Sequence, residues 1–188
     1  MSFEKSIKKL AGAKNVYTDY LNRFAYGTDA SFYRMIPSFI VMPDNELQIQ
    51  EILKICSGEK IPVTFRAAGT SLSGQALTES VLLGASHKWE NFSIRENGRF
   101  IDVQPGLRGG KINRLLAPYN RKLGPDPASV NAAMIGGIVA NNASGMNGTL
   151  ENSYRTIRAA RILFADGALL DTNNPDSRKT FAETHNSL

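Results

Sequence analysis

Residues 66–74, with the sequence RAAGTSLSG, form a run of small and hydroxylated residues that directly follows an apolar segment at 61–65. Small residues let backbone N–H groups approach a bulky anion, and successive N–H groups of such a loop can form a concave site for phosphate oxygens. Thr70 and Ser71 add hydroxyl donors, and Arg66 adds a charge-assisted hydrogen bond. The chemistry that this run predicts is the binding of a phosphate or diphosphate group.

The residues around this loop distinguish it from two common phosphate loops. Gly69 and Gly74 have the spacing of the first half of a Walker A loop, but Gln75-Ala76 stands where that loop needs lysine followed by serine or threonine. Without that lysine and the magnesium-binding hydroxyl, phosphoryl transfer would lose its main charge stabilisation. The G-x-G-x-x-G spacing of a Rossmann fold does not occur at this loop either. A loop that holds a diphosphate without reacting with it fits best, and a simple surface turn stays open as the alternative.

A second segment, 124–145, reads GPDPASVNAAMIGGIVANNASG. Pro125 and Pro127 restrict the backbone at its beginning, because each proline ring fixes one backbone dihedral. The polar side chains of Asp126 and Ser129 are therefore held on a rigid loop.

The later part of this segment contains a pair of glycines, followed by residues with amide and hydroxyl groups. Gly136-Gly137 has no side chains where a helix or loop begins, which would let a flat ligand lie against the backbone. Asn141, Asn142 and Ser144 offer amide and hydroxyl groups suited to the edges of a heterocycle or to a ribose. The alternative is a connection full of turns, in which the glycine pair permits close helix packing. Two such segments in one small chain are harder to explain by packing alone.

The elements that must position the first loop are predicted by hydrophobic spacing. A short buried strand at 39–42 is followed by a helix that begins at 43–45 and ends at Gly58, and a second strand follows at 61–65. Such a βαβ unit places its two strands parallel, with a right-handed crossover. The apolar face of the helix is formed by Ile49, Ile52, Leu53 and Cys56.

Two dipeptides further along the chain, Asn97-Gly98 and Asp166-Gly167, predict β-hairpins. In such turns both central residues need positive φ, which asparagine, aspartate and glycine tolerate best. The chain thus combines a parallel unit with later antiparallel hairpins, which predicts an α+β fold of two lobes with a boundary near 84–90. The predicted flanking strands are 92–95 and 99–103 for the first hairpin, and 158–164 and 168–170 for the second.

The amino-terminal part of the chain gives a weaker pattern. Phe3, Ile7 and Leu10 have helical spacing and no apolar signal core surrounds them, so we expect a helix and a cytosolic location. Residues 15–37 contain several aromatic residues without a clear period. No apolar run in the sequence is long enough to cross a bilayer, since the longest are of the size of 80–85.

Composition excludes several classes of site. The 22 Lys and Arg residues against 17 Asp and Glu give a net charge of +5, but this excess is spread thinly and forms no basic run, so nucleic-acid binding is not expected. The single cysteine, Cys56, rules out an internal disulfide and is expected to be a packing residue. His87 and His185 lie in unrelated contexts, so no metal site is expected.

The two glycine-rich motifs, RAAGTSLSG and GPDPAS…GGIVANNASG, together resemble the FAD-binding domain of the vanillyl-alcohol oxidase and p-cresol methylhydroxylase family. Within it, the similarity is greatest to the branch of D-lactate dehydrogenases and FAD-linked glycolate oxidase subunits. The likeness runs from Tyr33 to Asp171 and includes RILFADG at 161–167. It implies a two-lobed FAD-binding domain, with a small parallel βαβ lobe followed by an antiparallel hairpin lobe that is truncated at its carboxyl end.

The resemblance also implies which residues hold the cofactor. The loop 66–74 would wrap the FAD diphosphate, a proline-rich part would lie near the flavin, and a glycine and asparagine part would contact ribose, adenine or isoalloxazine. Relatives with covalently bound FAD carry a histidine where this chain has Thr70, so non-covalent FAD is implied. The implied residues are Arg66, Ala67, Ala68, Gly69, Thr70, Ser71, Leu72, Ser73, Gly74, Pro125, Asp126, Ser129, Gly136, Gly137, Asn142, Ser144 and Gly145.

By the same resemblance, the chain is expected to be the FAD-binding portion of a dehydrogenase or oxidase that converts a D-2-hydroxy acid, such as D-lactate, to a 2-oxo acid. Substrate and catalytic residues would then come from a carboxyl-terminal region, and an electron-acceptor partner or peripheral membrane contact would belong to the full-length enzyme. The expected organisation is a helical lead-in at 1–32, a first lobe at 33–86 and an incomplete second lobe at 87–188. A non-catalytic nucleotide-binding module and another oxidoreductase chemistry on the same scaffold stay open as alternatives.

Overall fold

The computed structural model describes residues 2–85, 87–146 and 152–186, in which an α+β chain forms one four-stranded sheet and two hairpins. The α-helices in these residues are α1 (Phe3–Ala11), α2 (Tyr20–Ala25), α3 (Glu46–Gly58), α4 (Gly109–Leu116), α5 (Ile135–Ala140), α6 (Ser153–Thr156) and α7 (Pro175–Thr184). The strands are β1 (Val16–Tyr17), β2 (Phe39–Val41), β3 (Val63–Arg66), β4 (Val81–Gly84), β5 (Phe92–Arg95), β6 (Phe100–Val103), β7 (Arg161–Leu163) and β8 (Leu169–Asp171).

The larger sheet has the strand order β1-β2-β4-β3, with β2, β4 and β3 parallel and β1 antiparallel to β2. The predicted strands β2 and β3 are therefore parallel, but they are not neighbours, because β4 lies between them. All four residues of β4, with the sequence VLLG, are buried, and no polar residues alternate with the apolar ones. A strand covered on both faces has this continuous apolar pattern and lacks the period that identifies a half-exposed strand.

Helix α3 connects β2 to β3 and begins with a side-chain cap. The Asn45 side chain accepts a hydrogen bond from the backbone N–H of Gln48 at 3.0 Å, which satisfies one of the free donors of the first turn. The helix ends at Gly58, as predicted from the sequence. The left-handed residue that follows is Lys60, with φ 55°, rather than a glycine.

Each lobe has its own apolar core. The core of the first lobe lies between the sheet and helices α1 and α3, and a smaller cluster around Ile40 and Leu82 covers the opposite face. The second core is built from α4, α5 and the hairpin of β5 and β6. The buried residues of this second core are Leu107, Ile112, Leu116, Ala133, Ile135 and Ile138.

Both predicted hairpins are present, but their turns differ. In the first, Asn97 and Gly98 both have positive φ and the Arg99 N–H donates to the Glu96 carbonyl at 3.1 Å, as the dipeptide predicts. In the second, the prediction of the same turn is wrong, because only Gly167 has positive φ and its N–H donates to the Phe164 carbonyl. This is the three-residue loop in which glycine alone takes the left-handed position.

The amino-terminal residues form more structure than their sequence indicates. Helix α1 is confirmed, whereas no pattern in the sequence indicates β1 or α2. Strand β1 is only two residues long, and α2 is capped by Asp19, whose side chain accepts from the Asn22 N–H at 3.0 Å. Elements this short carry too few residues for a period to be visible.

Within the described parts of the chain, none of the helices combines the length and apolar character that crossing a membrane requires.

Candidate functional site

A cavity of about 490 Å³ lies at the carboxyl edge of the parallel strands. Met42 follows β2, Arg66 ends β3 and Gly84 ends β4, and all three residues line this cavity. Its opposite wall comes from the second lobe: Arg108, Asn131, Ala132 and Met134. The edge beyond the carboxyl ends of parallel strands is where open α/β sheets bind ligands, so the topology favours a ligand site here.

The loop 66–74 is folded by two glycines in left-handed conformation. Gly69 has φ 68° and Gly74 has φ 72°, values that residues with a Cβ adopt only at a cost. A Cβ at Gly69 would lie 2.5 Å from Nη2 of Arg66, so the loop passes directly against the guanidinium group. The Ser71 hydroxyl accepts from the Ser73 N–H at 3.2 Å, which closes a small turn within the loop. The small residues thus permit the tight path that the sequence predicted for this segment.

Arg66 is held in a half-buried position at the base of this loop. Its Nη1 donates to the Tyr26 carbonyl at 3.1 Å, and its guanidinium carbon lies 5.5 Å from the centre of the Tyr26 ring. Burial lowers the pKa of Arg66 from its usual value, and the negative charge of Asp29 acts in the opposite direction. Arginine stays protonated in either case, so the site contains a fixed and partly desolvated positive charge.

Arg108 is a second cationic residue in the wall of the same cavity. It precedes α4, its side chain is exposed, and its backbone pairs with Met134 on the segment that leads into α5. Among the described residues that line the cavity there is no carboxylate. Arg108 was not predicted as a site residue, since a single arginine before a helix forms no motif, and backbone pairing with the segment before α5 brings it to the site.

A second cavity, of about 240 Å³, joins the loop 66–74 to helix α5. Thr70 and Gly137 line this cavity together, and a Cβ at Gly137 would lie 3.7 Å from the Cβ of Ala67. Gln75 Nε2 donates to Asn141 Oδ1 at 3.3 Å, which links the end of the loop to the end of α5. The structure therefore brings the two glycine-rich segments of the sequence into one site.

Gly136 and Gly137 have different surroundings although they are adjacent. The Gly136 N–H donates to the Pro105 carbonyl at 3.0 Å, and a Cβ at Gly136 would lie 2.7 Å from the Pro105 side chain. Gly136 therefore permits close packing, whereas Gly137 is exposed to the cavity.

The proline-rich and asparagine-rich parts of the second segment pair with each other. The Asp126 N–H donates to the Ser144 carbonyl at 2.9 Å, and a Cβ at Gly145 would collide with the Asp126 carbonyl oxygen. Asn142 has φ 44°, and its Oδ1 accepts from the Tyr154 N–H at 3.0 Å, so this part of its amide caps α6. Ten predicted site residues line neither cavity: Leu72, Ser73, Gly74, Pro125, Asp126, Ser129, Gly136, Asn142, Ser144 and Gly145.

Other chemically active groups lie away from the two cavities. Cys56 is buried in the first core, and desolvation raises its pKa to about 11, so it is a packing residue and not a nucleophile. Residues 2–85, 87–146 and 152–186 contain no group of three or more acidic, histidine or cysteine side chains that could hold a metal ion.

Comparison with known proteins gives matches over most of the chain. The sequence profile of a family described as FAD binding domain matches residues 37–173. The chain is 42% identical over 119 residues to glycolate oxidase subunit GlcD of Escherichia coli K12, which covers 62% of this chain and 24% of that protein. It is 27% identical over 169 residues to D-2-hydroxyglutarate dehydrogenase of Haemophilus influenzae, which covers 87% of this chain and 16% of that protein. The chain thus spans about a quarter or less of these two relatives.

Solved structures show the same fold at low sequence identity. Alkyldihydroxyacetonephosphate synthase superposes with a TM-score of 0.75 at 16% identity, over 94% of this chain and 37% of that chain. Xylooligosaccharide oxidase from Myceliophthora thermophila superposes with a TM-score of 0.72 at 16% identity, over 92% of this chain and 37% of that chain. At these identities the likeness concerns the fold alone.

Proposed function

The chain belongs to the family of FAD-binding domains, and from this premise we propose that it holds FAD between the carboxyl edge of its parallel sheet and its second lobe. The resemblance that the two glycine-rich motifs indicated is confirmed. In the proposed arrangement the loop 66–74 lies against the diphosphate, with Arg66 and Arg108 as its positive charges. Gly137 leaves room for the cofactor at the adjoining cavity.

The observation that carries this proposal is the charge and shape of the joined site. Two arginines face a cavity whose described lining contains no carboxylate, which suits a diphosphate that carries two negative charges. The two cavities, about 490 and 240 Å³, meet at Ala67, Ala68 and Met134 and together have the size of a cofactor site. The residues present therefore fit the cofactor that the family binds.

For the whole protein we propose a flavin-dependent oxidoreductase that oxidises a 2-hydroxy acid to a 2-oxo acid, with D-lactate as the first candidate. The support is the names of the relatives, which include a glycolate oxidase subunit, D-2-hydroxyglutarate dehydrogenases and the mitochondrial D-lactate dehydrogenase of Arabidopsis thaliana. Bound FAD supplies the two-electron acceptor for such an oxidation. The residues of this chain bind and orient the cofactor, and we propose that the substrate and an electron acceptor are bound by other parts of the whole protein.

The test is a titration of the natural, full-length protein with FAD, followed by anaerobic addition of candidate substrates. We expect saturable FAD binding, and bleaching of the flavin absorbance by D-lactate, glycolate or D-2-hydroxyglutarate but not by L-lactate. Absence of FAD binding would refute the cofactor proposal. Binding without reduction by any 2-hydroxy acid would refute the substrate proposal and favour a nucleotide-binding module.

We also propose that FAD is bound without a covalent bond. Thr70 stands in the loop at the position where histidine would attach the flavin, and no histidine or cysteine occurs among the described residues that line the two cavities. Acid precipitation of the loaded protein should release all of its flavin into the supernatant, as measured by absorbance. Flavin that stays with the precipitate after repeated washing would contradict the proposal.

A further inference from the structure

A segment before the family match contacts the loop 66–74 at several points. This bracing segment, residues 26–33, ends four residues before the matched region begins at residue 37. Its Tyr26 carbonyl accepts a hydrogen bond from Arg66, and its Ala30 N–H donates to the Gly69 carbonyl at 3.0 Å. At the other end of the loop, a Cβ at Gly74 would lie 3.0 Å from the Tyr33 ring. The beginning, middle and end of the loop thus each contact this segment.

The centre of the bracing segment is folded by one carboxylate. Asp29 Oδ1 accepts from the backbone N–H of Ser31 at 2.8 Å and from the Ser31 hydroxyl at 2.5 Å. A side-chain oxygen that accepts from the N–H two residues later forms an Asx turn, which mimics a backbone turn. Ala30 lies between the two residues that this turn joins, so the turn fixes the direction of its N–H group. That N–H is the one that holds Gly69.

The other carboxylate oxygen of Asp29 is buried and has no hydrogen-bond partner among the described residues. A buried carboxylate oxygen without a hydrogen-bond partner is unfavourable unless a positive charge compensates it. Asp29 acts electrostatically on Arg66, where its negative charge raises the pKa against the effect of burial. The carboxylate therefore influences both the backbone of the loop and the electrostatic surroundings of Arg66.

We propose that Asp29 is a positioning residue for the cofactor site, which folds the turn that holds Gly69 and thereby sets the loop 66–74 to receive a diphosphate. This inference rests on the proposed function, because the diphosphate is that of FAD. It extends the site to a segment outside the matched family region. Asp29 lines neither cavity, so its effect on binding passes through the loop.

The test compares FAD affinity in two substitutions of Asp29 in the full-length protein. Asp29→Ala removes the acceptor, so the turn opens and FAD affinity should fall by about tenfold. Asp29→Asn keeps a side-chain oxygen that can accept from the Ser31 N–H, so its affinity should stay within about threefold of the wild type. Dissociation constants measured by flavin fluorescence, together with thermal unfolding of the apoprotein, separate binding from stability.

Asp19→Ala is the matched control, because Asp19 also accepts from a backbone N–H in the amino-terminal region but does not contact the loop. It should lower stability and leave FAD affinity unchanged. If Asp29→Ala does not fold, Ser31→Ala removes the hydroxyl that donates to Asp29 and accepts from the Tyr33 N–H, and it should weaken FAD binding by about threefold.

Each outcome decides the question. Wild-type affinity in Asp29→Ala, or in Ser31→Ala where the first variant does not fold, would overturn the inference while the proposed function stands. Equal losses in Asp29→Ala and Asp29→Asn would overturn the role of the turn. If the wild-type protein binds no FAD, the proposed function fails and the inference fails with it.

Discussion

At the scale of single residues, the candidate site depends on a positive charge held in a defined position. Arg66 donates a hydrogen bond to the Tyr26 carbonyl and lies against Gly69, whereas Arg108 is exposed on the opposite wall of the cavity. A charge that is already partly desolvated loses less solvation when an anion binds, and its Coulomb interaction is screened less by salt. Arg66 should therefore contribute more to FAD affinity than an exposed arginine.

Substitution of Arg66 by glutamine tests this contribution. Arg66→Gln removes a charge-assisted hydrogen bond, so FAD affinity should fall by about ten- to a hundredfold, and most of this loss should persist at high salt concentration because the interaction of a partly desolvated charge is screened little. The measurement is FAD titration at several concentrations of sodium chloride. Arg99→Gln is the control, since Arg99 lies on the hairpin turn between β5 and β6, outside both cavities, and its loss should leave affinity unchanged. Equal effects of the two substitutions would contradict a specific role for Arg66.

The two glycine-rich segments could be predicted from the sequence, but the different roles of their adjacent glycines could not. The sequence identified both glycine-rich segments, and the structure brings Thr70 and Gly137 to one cavity. The sequence could not distinguish the role of Gly137 from that of Gly136, which packs on Pro105, because the two residues are identical and adjacent. The partner that distinguishes them is 31 residues away from Gly136 and is known only from the fold.

At the scale of elements, the end of α3 gives a direct test of backbone strain. The Ile61 N–H donates to the Cys56 carbonyl at 2.8 Å and the Lys60 N–H donates to the Ser57 carbonyl at 3.2 Å. These two bonds form a Schellman motif, in which the left-handed position is usually glycine. Here that position is Lys60, with φ 55°, so the helix end carries a conformational cost that a glycine would avoid.

Lys60→Gly should therefore stabilise the protein by about 0.5–1 kcal/mol. Glycine adopts positive φ without an unfavourable Cβ contact, and its larger loss of conformational entropy on folding offsets part of this gain. Chemical denaturation with urea measures the free energy of unfolding. Lys60→Ala is the matched control, because it removes the same charge and most of the same side chain but keeps the Cβ. A glycine variant no more stable than the alanine variant would contradict the assignment of strain to this residue.

The predictability of the other elements follows the same physical rule. Helix α3 and the first hairpin could be predicted because a cap, a period or an Asn-Gly pair is local in sequence. Strand β4 could not, since VLLG has no alternation, and its position between β2 and β3 is fixed by sheet pairing over a long separation. The division into segments 1–32, 33–86 and 87–188 stays a prediction, although β1, from the first segment, pairs with β2 of the second.

A polar contact joins the loop after β2 to the start of the second lobe. The Asp44 carboxylate accepts from Lys88 and from Asn15 Nδ2, the latter at 3.0 Å. The hydrogen bond from Lys88 is the largest cause that lowers the pKa of Asp44, and burial opposes it. A carboxyl whose pKa is lower in the folded state adds stability above its unfolded pKa, and this stability is lost as the pH falls through the folded pKa.

Asp44→Asn should accordingly reduce stability near neutral pH and reduce it less, relative to the wild type, below about pH 4. Urea midpoints measured between pH 3 and pH 7 give both quantities. Asp102→Asn is the control, since Asp102 forms an exposed ion pair with Arg95 on the hairpin and should contribute little at any pH. A difference between wild type and Asp44→Asn that is the same at every pH would contradict the proposed ionisation.

At the scale of the whole molecule, hydrogen bonds join the two lobes at two places. Trp89 is buried at the start of the second lobe, and its Nε1 donates to the Pro43 carbonyl of the first lobe at 2.8 Å. Farther along the chain, the turn between β7 and β8 contacts α3, where Gln50 Nε2 donates to the Gly167 carbonyl at 3.1 Å. The cavity itself takes walls from both lobes. A ligand bound there should stabilise the two lobes as one unit.

Thermal unfolding with and without FAD tests this coupling. A ligand that binds only the folded state at 100 times its dissociation constant adds about 2.7 kcal/mol, which for a chain of this length raises the Tm by about 5–10 °C. Trp89 is the single tryptophan of the chain and lies at the junction, so its emission reports the separation of the lobes while flavin fluorescence reports release of the cofactor. Because the proposed site binds across the junction, both signals should change at one temperature. Riboflavin, which lacks the diphosphate, should give a much smaller shift, and flavin release well below the tryptophan transition would show that the cofactor is held by one lobe alone.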